Sequence, residues 1–249
     1  MTTPEPMVVL DHVSKSFGTL RVLEDVSFEI PRGRAFCLLG RSGTGKSVTL
    51  KHVVGLVKPD SGRVLVEGHD VPTLSRRALN DVRKHIGFLF QDAALFDSIS
   101  VGENVAFPLR RHTRMKDAAV RDRARAALAD VGLGDQYDKM PGDLSGGMRK
   151  RAGLARAMVL NPALLLVDEP SAGLDPLTAG EIDALLLEQK QQHQVTLLVV
   201  THNIPSARTI GDELAVLDQG RLVARGTPEE LDRSDVELVR AFMSAGAGG

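Results

Sequence analysis

Short apolar runs alternate with helical repeats along most of this chain. The segment VSFEI places Val26, Phe28 and Ile30 on one face, which is the alternation of a half-buried strand. AFCLLG, residues 35–40, is a continuous apolar run that ends in glycine, and the helical pattern SVTLKHVVGL follows it after a short loop. Because strands that alternate with helices build largely parallel sheets, the pattern predicts an α/β fold. Further predicted strands lie at residues 63–66, 86–90, 164–167, 196–200 and 214–217.

Residues 101–160 depart from this alternation. They contain the helical patterns ENVAFPLRRHTRMKDAAVRDRARAALADVGL and MRKRAGLARAMVL with no strand pattern between them. We therefore predict a helical subdomain inserted into the sheet domain. The charge-rich run RRHTRMKDAAVRDRAR is typical of a solvated helical face, and the final SAGAGG predicts a frayed end.

Composition and charge exclude some classes of protein. The chain has 249 residues, 43% hydrophobic, and its net charge of -1 gives no sign of the basic field that nucleic-acid binding favours. Its single cysteine, Cys37, lies in an apolar run, so we expect it to pack in the core, as suits a reducing compartment. No apolar stretch reaches the roughly 18 to 20 residues that span a bilayer, and the N-terminus lacks the layout of a signal peptide. We expect any work at a membrane to go through a partner.

The loop GRSGTGKS, residues 40–47, has the pattern of a phosphate-binding loop. Its glycines let successive backbone N–H groups point at phosphate oxygens, Lys46 can reach the β- and γ-phosphates, and the Ser47 hydroxyl can bind Mg²⁺. A strand pattern before the loop and a helical pattern after it support the match. The predicted ATP-binding residues here are Gly40, Arg41, Ser42, Gly43, Thr44, Gly45, Lys46, Ser47 and Val48.

A second apolar run, ALLLVDE at residues 163–169, ends in two adjacent acids. A strand this apolar does not ordinarily finish in paired carboxylates unless a cation or a reaction uses them. We predict that Asp168 organises Mg²⁺ and that Glu169, one residue further on, orients or deprotonates an attacking water.

The stretch DLSGGMRKR, residues 143–151, combines a glycine turn with the start of a helical pattern. The first N–H groups of a helix lack partners inside it, and such an end attracts anions. Ser145, Gly146, Gly147 and Met148 are therefore candidates for a second phosphate contact.

Together these motifs resemble the ATPases of ATP-binding cassette (ABC) systems, and the resemblance covers nearly the whole chain. LSGGM at residues 144–148 is similar to the family's signature loop LSGGQ, which closes over the γ-phosphate held by a second cassette. The resemblance therefore implies ATP and Mg²⁺ as cofactors, ATP hydrolysis as the activity, and a homodimer. Met148 departs from the usual glutamine and removes one side-chain hydrogen bond, although the backbone donors remain.

Other residues acquire a role only through this resemblance. Phe17 in SKSFG matches the aromatic residue that stacks on adenine, and Gln91 matches the glutamine that contacts Mg²⁺ and reports on the permease. Asp175 in SAGLD matches the loop that communicates across the dimer, with a helix start at Pro176 as the alternative. His202 matches the histidine that contacts the γ-phosphate. The predicted catalytic set is Glu169, His202, Lys46 and Gln91, and the predicted metal ligands are Ser47, Gln91 and Asp168.

The resemblance also implies a domain organisation. We expect one domain over residues 1–249, with a P-loop NTPase core of RecA-like type and an antiparallel β subdomain formed by residues 1–91 and 161–230. The α-helical signature subdomain is expected at residues 92–160. A C-terminal helix and tail are expected at residues 231–249.

Within the family, LSGGM with QDAALF, ENVAFPLR and SAGLDP resembles the ATPases of MCE and Mla-type lipid transporters. This implies a place on the cytoplasmic face of a bacterial inner membrane, with an integral membrane permease docked near residues 92–110. An MCE-domain protein and a small regulatory protein are further candidate partners, and no nucleic acid is expected. Two alternatives stay open: an ABC importer or exporter for another substrate, such as amino acids or organic solvents, and a soluble ABC ATPase outside transport.

Overall fold

The computed structural model describes residues 5–244, and the predicted frayed end from residue 245 onward lies outside that range. The strands are β1 (Val8–Phe17), β2 (Leu20–Ile30), β3 (Ala35–Leu39), β4 (Ser61–Val66), β5 (His69–Asp70), β6 (Ile86–Leu89), β7 (Leu164–Asp168), β8 (Thr196–Thr201), β9 (Glu213–Asp218) and β10 (Arg221–Gly226). The α-helices are α1 (Lys46–Val53), α2 (Arg76–Arg83), α3 (Val101–His112), α4 (Asp117–Ala129), α5 (Gly146–Met158), α6 (Pro176–His193), α7 (Ile204–Ile210), α8 (Pro228–Asp232) and α9 (Glu237–Ser244). Short 3-10 turns lie at Val71–Thr73, Gly134–Gln136 and Pro141–Asp143.

The larger sheet has six strands in the order β10-β9-β3-β8-β7-β6. Strands β9, β3, β8, β7 and β6 run parallel, and β10 pairs antiparallel with β9 at one edge. Its central strands are buried on both faces, as parallel strands covered by helices are. In β3, for example, Phe36 and Leu38 face one core cluster while Cys37 and Leu39 face the other. The predicted α/β fold and the burial of Cys37 are both confirmed.

A second sheet, of four antiparallel strands in the order β2-β1-β4-β5, covers one face of the larger sheet. Phe28 of β2 stacks on Phe36 of β3 with ring centroids 4.8 Å apart, which joins the two sheets through the core between them. The antiparallel β subdomain implied by the resemblance is thus present. Strands β1, β5 and β10 are additions to the strands predicted from the apolar runs.

Helices α3, α4 and α5 follow one another between β6 and β7, as the patterns over residues 101–160 predict. The charged run that reads as one helical face is divided between two helices, because α3 ends at His112 and α4 begins at Asp117. Most of its charged side chains are exposed, which agrees with a solvated face. No helix between residues 5 and 244 combines the length and the apolar character needed to cross a bilayer.

Candidate nucleotide-binding site

Three functional loops open at one edge of the larger sheet. Strand β8 lies between β3 and β7, with Thr201 opposite Leu39 and Val200 opposite Asp168. Because the three strands are parallel, the segments that follow them leave the sheet at the same edge. The phosphate-binding loop after β3, Glu169 after β7 and His202 after β8 are therefore neighbours.

The phosphate-binding loop depends on glycine where the backbone turns. Gly43 and Gly45 have φ angles of 83° and 104°, which side chains disfavour. A Cβ at Gly40 would lie 2.5 Å from the carbonyl oxygen of Leu217, so no side chain fits there. Gly45 caps α1 without a side-chain hydrogen bond, which leaves the first N–H groups of that helix available to an anion.

Lys46, the first residue of α1, is buried against this loop. Its Nζ donates to the carbonyl oxygens of Gly40 at 2.7 Å and Arg41 at 3.1 Å. The same Nζ lies 3.3 Å from Glu169 Oε1. The lysine charge is therefore held between the loop and the second of the two acids.

Ser47 Oγ donates a hydrogen bond of 3.0 Å to Asp168 Oδ1. The contact joins the first turn of α1 to the end of β7 and brings a hydroxyl oxygen and a carboxylate oxygen together. Burial raises the pKa of Asp168, and the hydrogen bond from Ser47 acts in the opposite direction. Oxygen donors of this kind are those that Mg²⁺ prefers, so the pair fits the predicted ion.

Glu169 is buried, and several groups determine its position. Its Oε2 accepts hydrogen bonds from the backbone N–H of His202 at 3.2 Å and from His202 Nδ1 at 2.9 Å. Its own N–H donates to Val200 O at 2.9 Å in β8. Its φ angle is 46°, in the left-handed region that non-glycine residues rarely adopt. Strained residues of this kind cluster at functional sites.

A cavity of about 380 Å³ opens in front of these groups. Phe17, half exposed at the end of β1, lines it, and Lys15 Nζ lies 5.3 Å from the centroid of the Phe17 ring. The predicted residues that line the cavity are Phe17, Ser42, Gly43, Gly45, Lys46, Ser47, Val48, Gln91, Glu169 and His202.

Three predicted loop residues, Gly40, Arg41 and Thr44, do not line the cavity but hold other residues of the loop in place. Gly40 and Arg41 supply the carbonyl oxygens that hold Lys46, and Thr44 Oγ1 donates to Arg41 O at 2.9 Å. Asp168 does not line the cavity either, but it accepts the hydrogen bond from Ser47, which does. The structure thus brings the loop, the two acids, the glutamine and the histidine into one site.

The signature residues do not line this cavity. Ser145 is the N-cap of α5, and its Oγ accepts a hydrogen bond of 3.2 Å from the N–H of Met148. Gly146 and Gly147 form the first turn of the helix, and a Cβ on Gly147 would lie 2.5 Å from Thr178 Cγ2. The Met148 side chain is partly buried against the larger core cluster. A phosphate bound at this helix end would belong to another molecule or another site.

Asp175 is the N-cap of α6. Its Oδ1 accepts from the N–H of Thr178 at 3.0 Å and its Oδ2 from the Thr178 hydroxyl at 2.6 Å. The sequence leaves a helix start at Pro176 open as an alternative role for this segment, and α6 does begin there. A role across a dimer is a separate function of the same exposed residue and stays a prediction.

Three contributors to the site carry no sequence signal. Val22 of β2 lines the cavity, because the second sheet folds over its mouth. Asn203 Nδ2 donates to Ser171 Oγ at 3.2 Å, beside the contact between His202 and Glu169. Lys150 of α5 is buried and donates to the carbonyl oxygen of Glu169 at 3.1 Å.

A phosphate-binding loop, a second strand that ends in two acids and a third strand between them define a P-loop NTPase of RecA-like type. A family model described as ABC transporter matches residues 23–172. The chain belongs to the ABC transporter family and has the fold of its ATP-binding cassettes.

Relatives of known name agree with this membership. The probable ribonucleotide transport ATP-binding protein mkl of Mycobacterium tuberculosis is 46% identical over 237 residues, which are 95% of this chain and 66% of that protein. This chain thus spans slightly less than two thirds of the length of that relative. The intermembrane phospholipid transport system ATP-binding protein MlaF of Escherichia coli K12 is 37% identical over 98% of this chain and 90% of its own length. The methionine import ATP-binding protein MetN of Rhizobium johnstonii is 40% identical over 89% of this chain.

Solved structures share the fold. The cassette MJ0796, solved as a dimer in a post-hydrolysis state bound to ADP and Pi, has a TM-score of 0.82 and 32% identity, and the match covers 89% of this chain and 98% of that one. The cbiO1 protein of Clostridium perfringens, part of the transporter complex cbiONQ, has a TM-score of 0.83 and 29% identity over 97% of this chain and 99% of that one. The predicted fold class is confirmed.

Proposed function

We propose that this chain is the ATP-binding and hydrolysing subunit of a membrane ABC transporter. The observation that carries the proposal is the position of Glu169, a buried carboxylate held between Lys46 at 3.3 Å and His202 at 2.9 Å. It lies at the wall of a cavity that the phosphate-binding loop also lines. A carboxylate placed there is suited to act on a water that attacks a bound phosphate.

Binding of ATP is assigned to the loop and its neighbours. The N–H groups of the loop and of the first turn of α1 bind the phosphates, and Lys46 exchanges its contacts with Gly40 and Arg41 for phosphate oxygens. The exposed ring of Phe17 at the cavity mouth is placed to stack on the adenine. Ser47, Asp168 and Gln91 would hold Mg²⁺, which when bound would neutralise charge on the β- and γ-phosphate oxygens.

Hydrolysis requires one proton to leave the attacking water. Glu169 accepts that proton as the water oxygen bonds to the γ-phosphorus and the bond to the β-phosphate oxygen breaks. The His202 ring, whose Nδ1 donates to Glu169, keeps the carboxylate oriented and is placed to contact the γ-phosphate. Lys46 stabilises the negative charge of the transferring group.

The signature loop supports a homodimer. Ser145 and the first N–H groups of α5 form an anion-binding helix end that the chain does not direct into its own cavity. We assign it to the γ-phosphate of the ATP bound by a second copy, and Asp175 to the contact between the two copies. The dimeric cassette MJ0796, with the same fold, supports this arrangement.

A groove of about 320 Å³ between the larger sheet and the helical insert supports the permease contact. Phe90, Phe96 and Phe107 line it and are each 38% to 46% exposed, which is unusual for phenylalanine on a free surface. Arg83, Lys84 and Arg156 add positive charge around it. A short amphipathic helix of a permease with an acidic residue on its apolar face fits this groove. The groove extends beyond residues 92–110, where the sequence suggests the docking site, to both ends of β6.

The transported substrate we propose is a lipid of the bacterial envelope. The similarity to MlaF over nearly the whole chain supports this, and the similarity to mkl and MetN supports the alternative of another importer or exporter substrate. On the lipid proposal the chain lies on the cytoplasmic face of the inner membrane, bound through the permease, with an MCE-domain protein as a further partner.

Affinity capture from the native cell tests the proposal. The tagged chain is purified from membranes in mild detergent, and its protein partners and lipids are identified by mass spectrometry. We expect a permease and an MCE-domain protein with bound phospholipid. Capture of a different permease would mean that the transported substrate is not a lipid. Capture of soluble partners alone would mean that the chain does not function in transport.

A matched pair of variants locates the permease contact. Phe107→Asp puts a charge into the groove and should abolish capture of the permease. Leu20→Asp changes a side chain that is 66% exposed and lies outside the groove, and it should leave capture unchanged. Equal capture by both variants would remove the groove from the proposal.

A further inference from the structure

Lys150 is a buried lysine at the fifth position of α5, the helix that begins with the signature loop. Only 6% of its surface is exposed, and its Nζ donates to the carbonyl oxygen of Glu169 at 3.1 Å. The helix end that carries the signature thus has a direct bond to the backbone of the residue assigned as general base. The bond lies within one chain, although the signature loop serves the nucleotide of the other copy.

The backbone of Glu169 needs such support. Its φ of 46° is unfavourable for a non-glycine residue, and strain of this kind persists only where surrounding contacts fix it. The Glu169 carbonyl accepts one further hydrogen bond, from the N–H of Ala172 at 3.2 Å. Ala172 belongs to the same loop, so Lys150 supplies the bond that anchors this carbonyl to another element.

The surroundings of Lys150 favour a functional contact over simple packing. Burial lowers the pKa of Lys150, and the carboxylates of Asp92, Asp168 and Glu169 act in the opposite direction. A lysine kept in a buried position costs free energy that an apolar side chain would not. A cleft of about 180 Å³ beside it is lined by Gln91 and Gly146 as well as Lys150, so the lysine adjoins both the cavity glutamine and the signature turn.

We propose that Lys150 is a positioning residue that couples the signature helix to Glu169 of the same chain. When the signature loop contacts the nucleotide of the partner, α5 is fixed, and through Lys150 the backbone of Glu169 is fixed at its own nucleotide. Each site then becomes competent when the other site is closed. The inference rests on the proposed function, because it requires the homodimer and Glu169 as the base.

The first test separates turnover from binding. Lys150→Met should lower kcat by at least about ten-fold while the Kd for ATP changes by less than about two-fold. Lys150→Arg, which keeps a charged donor, should restore most of the rate. Lys139→Met, the same change at an exposed lysine, is the control. Equal rates for Lys150→Met and the control would overturn the proposal, as would a parallel rise in Kd.

Mixed dimers decide which glutamate Lys150 serves. In a dimer of one wild-type and one Glu169→Gln chain, only one general base remains. We expect Lys150→Met to reduce the rate when it lies in the chain with the intact Glu169, and to have no effect when it lies in the Glu169→Gln chain. The reverse result would mean that Lys150 acts through the signature loop on the partner's nucleotide, and it would overturn the proposal.

The controls of this experiment also separate it from the proposed function. A wild-type dimer without turnover, or a Glu169→Gln dimer with full turnover, would reject the assigned activity or base whatever Lys150 does. Normal behaviour of both with no Lys150 effect would reject this inference alone. Should Lys150→Met fail to fold, judged by thermal unfolding, Lys150→Gln takes its place in every arrangement.

Discussion

Lys46 and Glu169, 123 positions apart in the sequence, form an ion pair in which Nζ and Oε1 lie 3.3 Å apart and the side chains are 6% and 11% exposed. Water screens such a pair poorly, so each charge depends strongly on the other. The residue assigned to bind phosphate and the residue assigned to activate water are therefore coupled electrostatically. Removing the charge of either residue leaves the other as a buried charge without its partner.

Glu169→Gln keeps the size of the side chain and removes its basicity. We expect turnover to fall by about 10² to 10⁴-fold, because the attacking water loses its general base. ATP binding should persist, and the ATP-bound dimer should be longer-lived. Single-turnover hydrolysis and size-exclusion chromatography with ATP measure both effects. Full turnover in this variant would remove Glu169 from the mechanism.

Lys46→Ala removes the cation of the phosphate-binding loop. A charge-assisted hydrogen bond contributes about 1.5 to 3 kcal/mol, so the Kd for ATP should rise by at least about ten-fold. Lys51→Ala is the matched control, since Lys51 lies in the same helix with its side chain exposed. Fluorescence titration with a labelled nucleotide gives both constants. Unchanged affinity in Lys46→Ala would count against the loop as the phosphate site.

Met148→Gln restores the side chain usual in the family's signature loop. Met148 packs partly against the core, and the Ser145 hydroxyl accepts from its backbone N–H, an arrangement independent of the side chain. We therefore expect phosphate capping to persist in the native sequence and the rate of Met148→Gln to stay within about three-fold. A rise from near zero to high activity would show that the methionine disables the loop.

The two signature glycines should respond differently to alanine. A Cβ at Gly147 would lie 2.5 Å from Thr178 Cγ2, and Thr178 holds Asp175 through two hydrogen bonds. Gly147→Ala should therefore lower the free energy of unfolding by about 1 to 3 kcal/mol. Gly146→Ala meets only Leu174 Cδ2 at 3.5 Å, an ordinary contact, and should change it by less than about 0.5 kcal/mol. Denaturant titration of both variants measures these changes. Equal losses in the free energy of unfolding would show that the prediction is wrong.

His52 should make stability fall as the solution becomes acidic. It is fully buried in α1, its Nδ1–H donates to Val57 O at 2.8 Å, and its Nε2 has no hydrogen-bond partner among the described residues. Burial lowers the pKa of His52 below its ordinary value of 6.5. The unfolded chain therefore takes up a proton first, and the stability present above that value is lost as the pH falls towards the lower folded pKa.

The comparison with His52→Leu isolates this effect from the other histidines. Between about pH 7.5 and about pH 5.5, wild type should lose stability relative to the variant by at most about 1.4 kcal/mol per pH unit. Urea unfolding at several pH values measures the difference. Parallel pH profiles would mean that His52 keeps an ordinary pKa.

The sequence is sufficient to predict the functional loops at the sheet edge, but not all the elements that surround them. GRSGTGKS and ALLLVDE each bring their functional glycines or acids together within one continuous segment, so local patterns predict them. The apolar pattern does not predict strand β1, although it carries Phe17, because its pairing with both neighbouring strands has register shifts and its burial is irregular. Partial and irregular burial removes the simple alternation that strand prediction uses.

Contacts between distant elements also escape prediction from the sequence. Nothing in the run MRKRAGLARAMVL distinguishes Lys150 from the exposed Arg149 beside it, and only the tertiary structure shows that Lys150 is buried and bonded to the carbonyl oxygen of Glu169. The groove likewise combines α2, β6 and α5 residues that are far apart in the chain. Its boundaries follow from the tertiary fold.

Strand β6 is short, lies at the edge of the larger sheet and is paired with β7 along all four of its residues. Phe88 and Phe90, whose rings stack with centroids 4.0 Å apart, face the groove, and Gln91 reaches the nucleotide cavity directly after them. The pairing with β7 fixes the strand, and Phe90 and Gln91 follow its last residue directly. If a permease helix docks in the groove as proposed, its movement would reach Gln91, the proposed Mg²⁺ ligand, across the single peptide bond that joins Phe90 to Gln91.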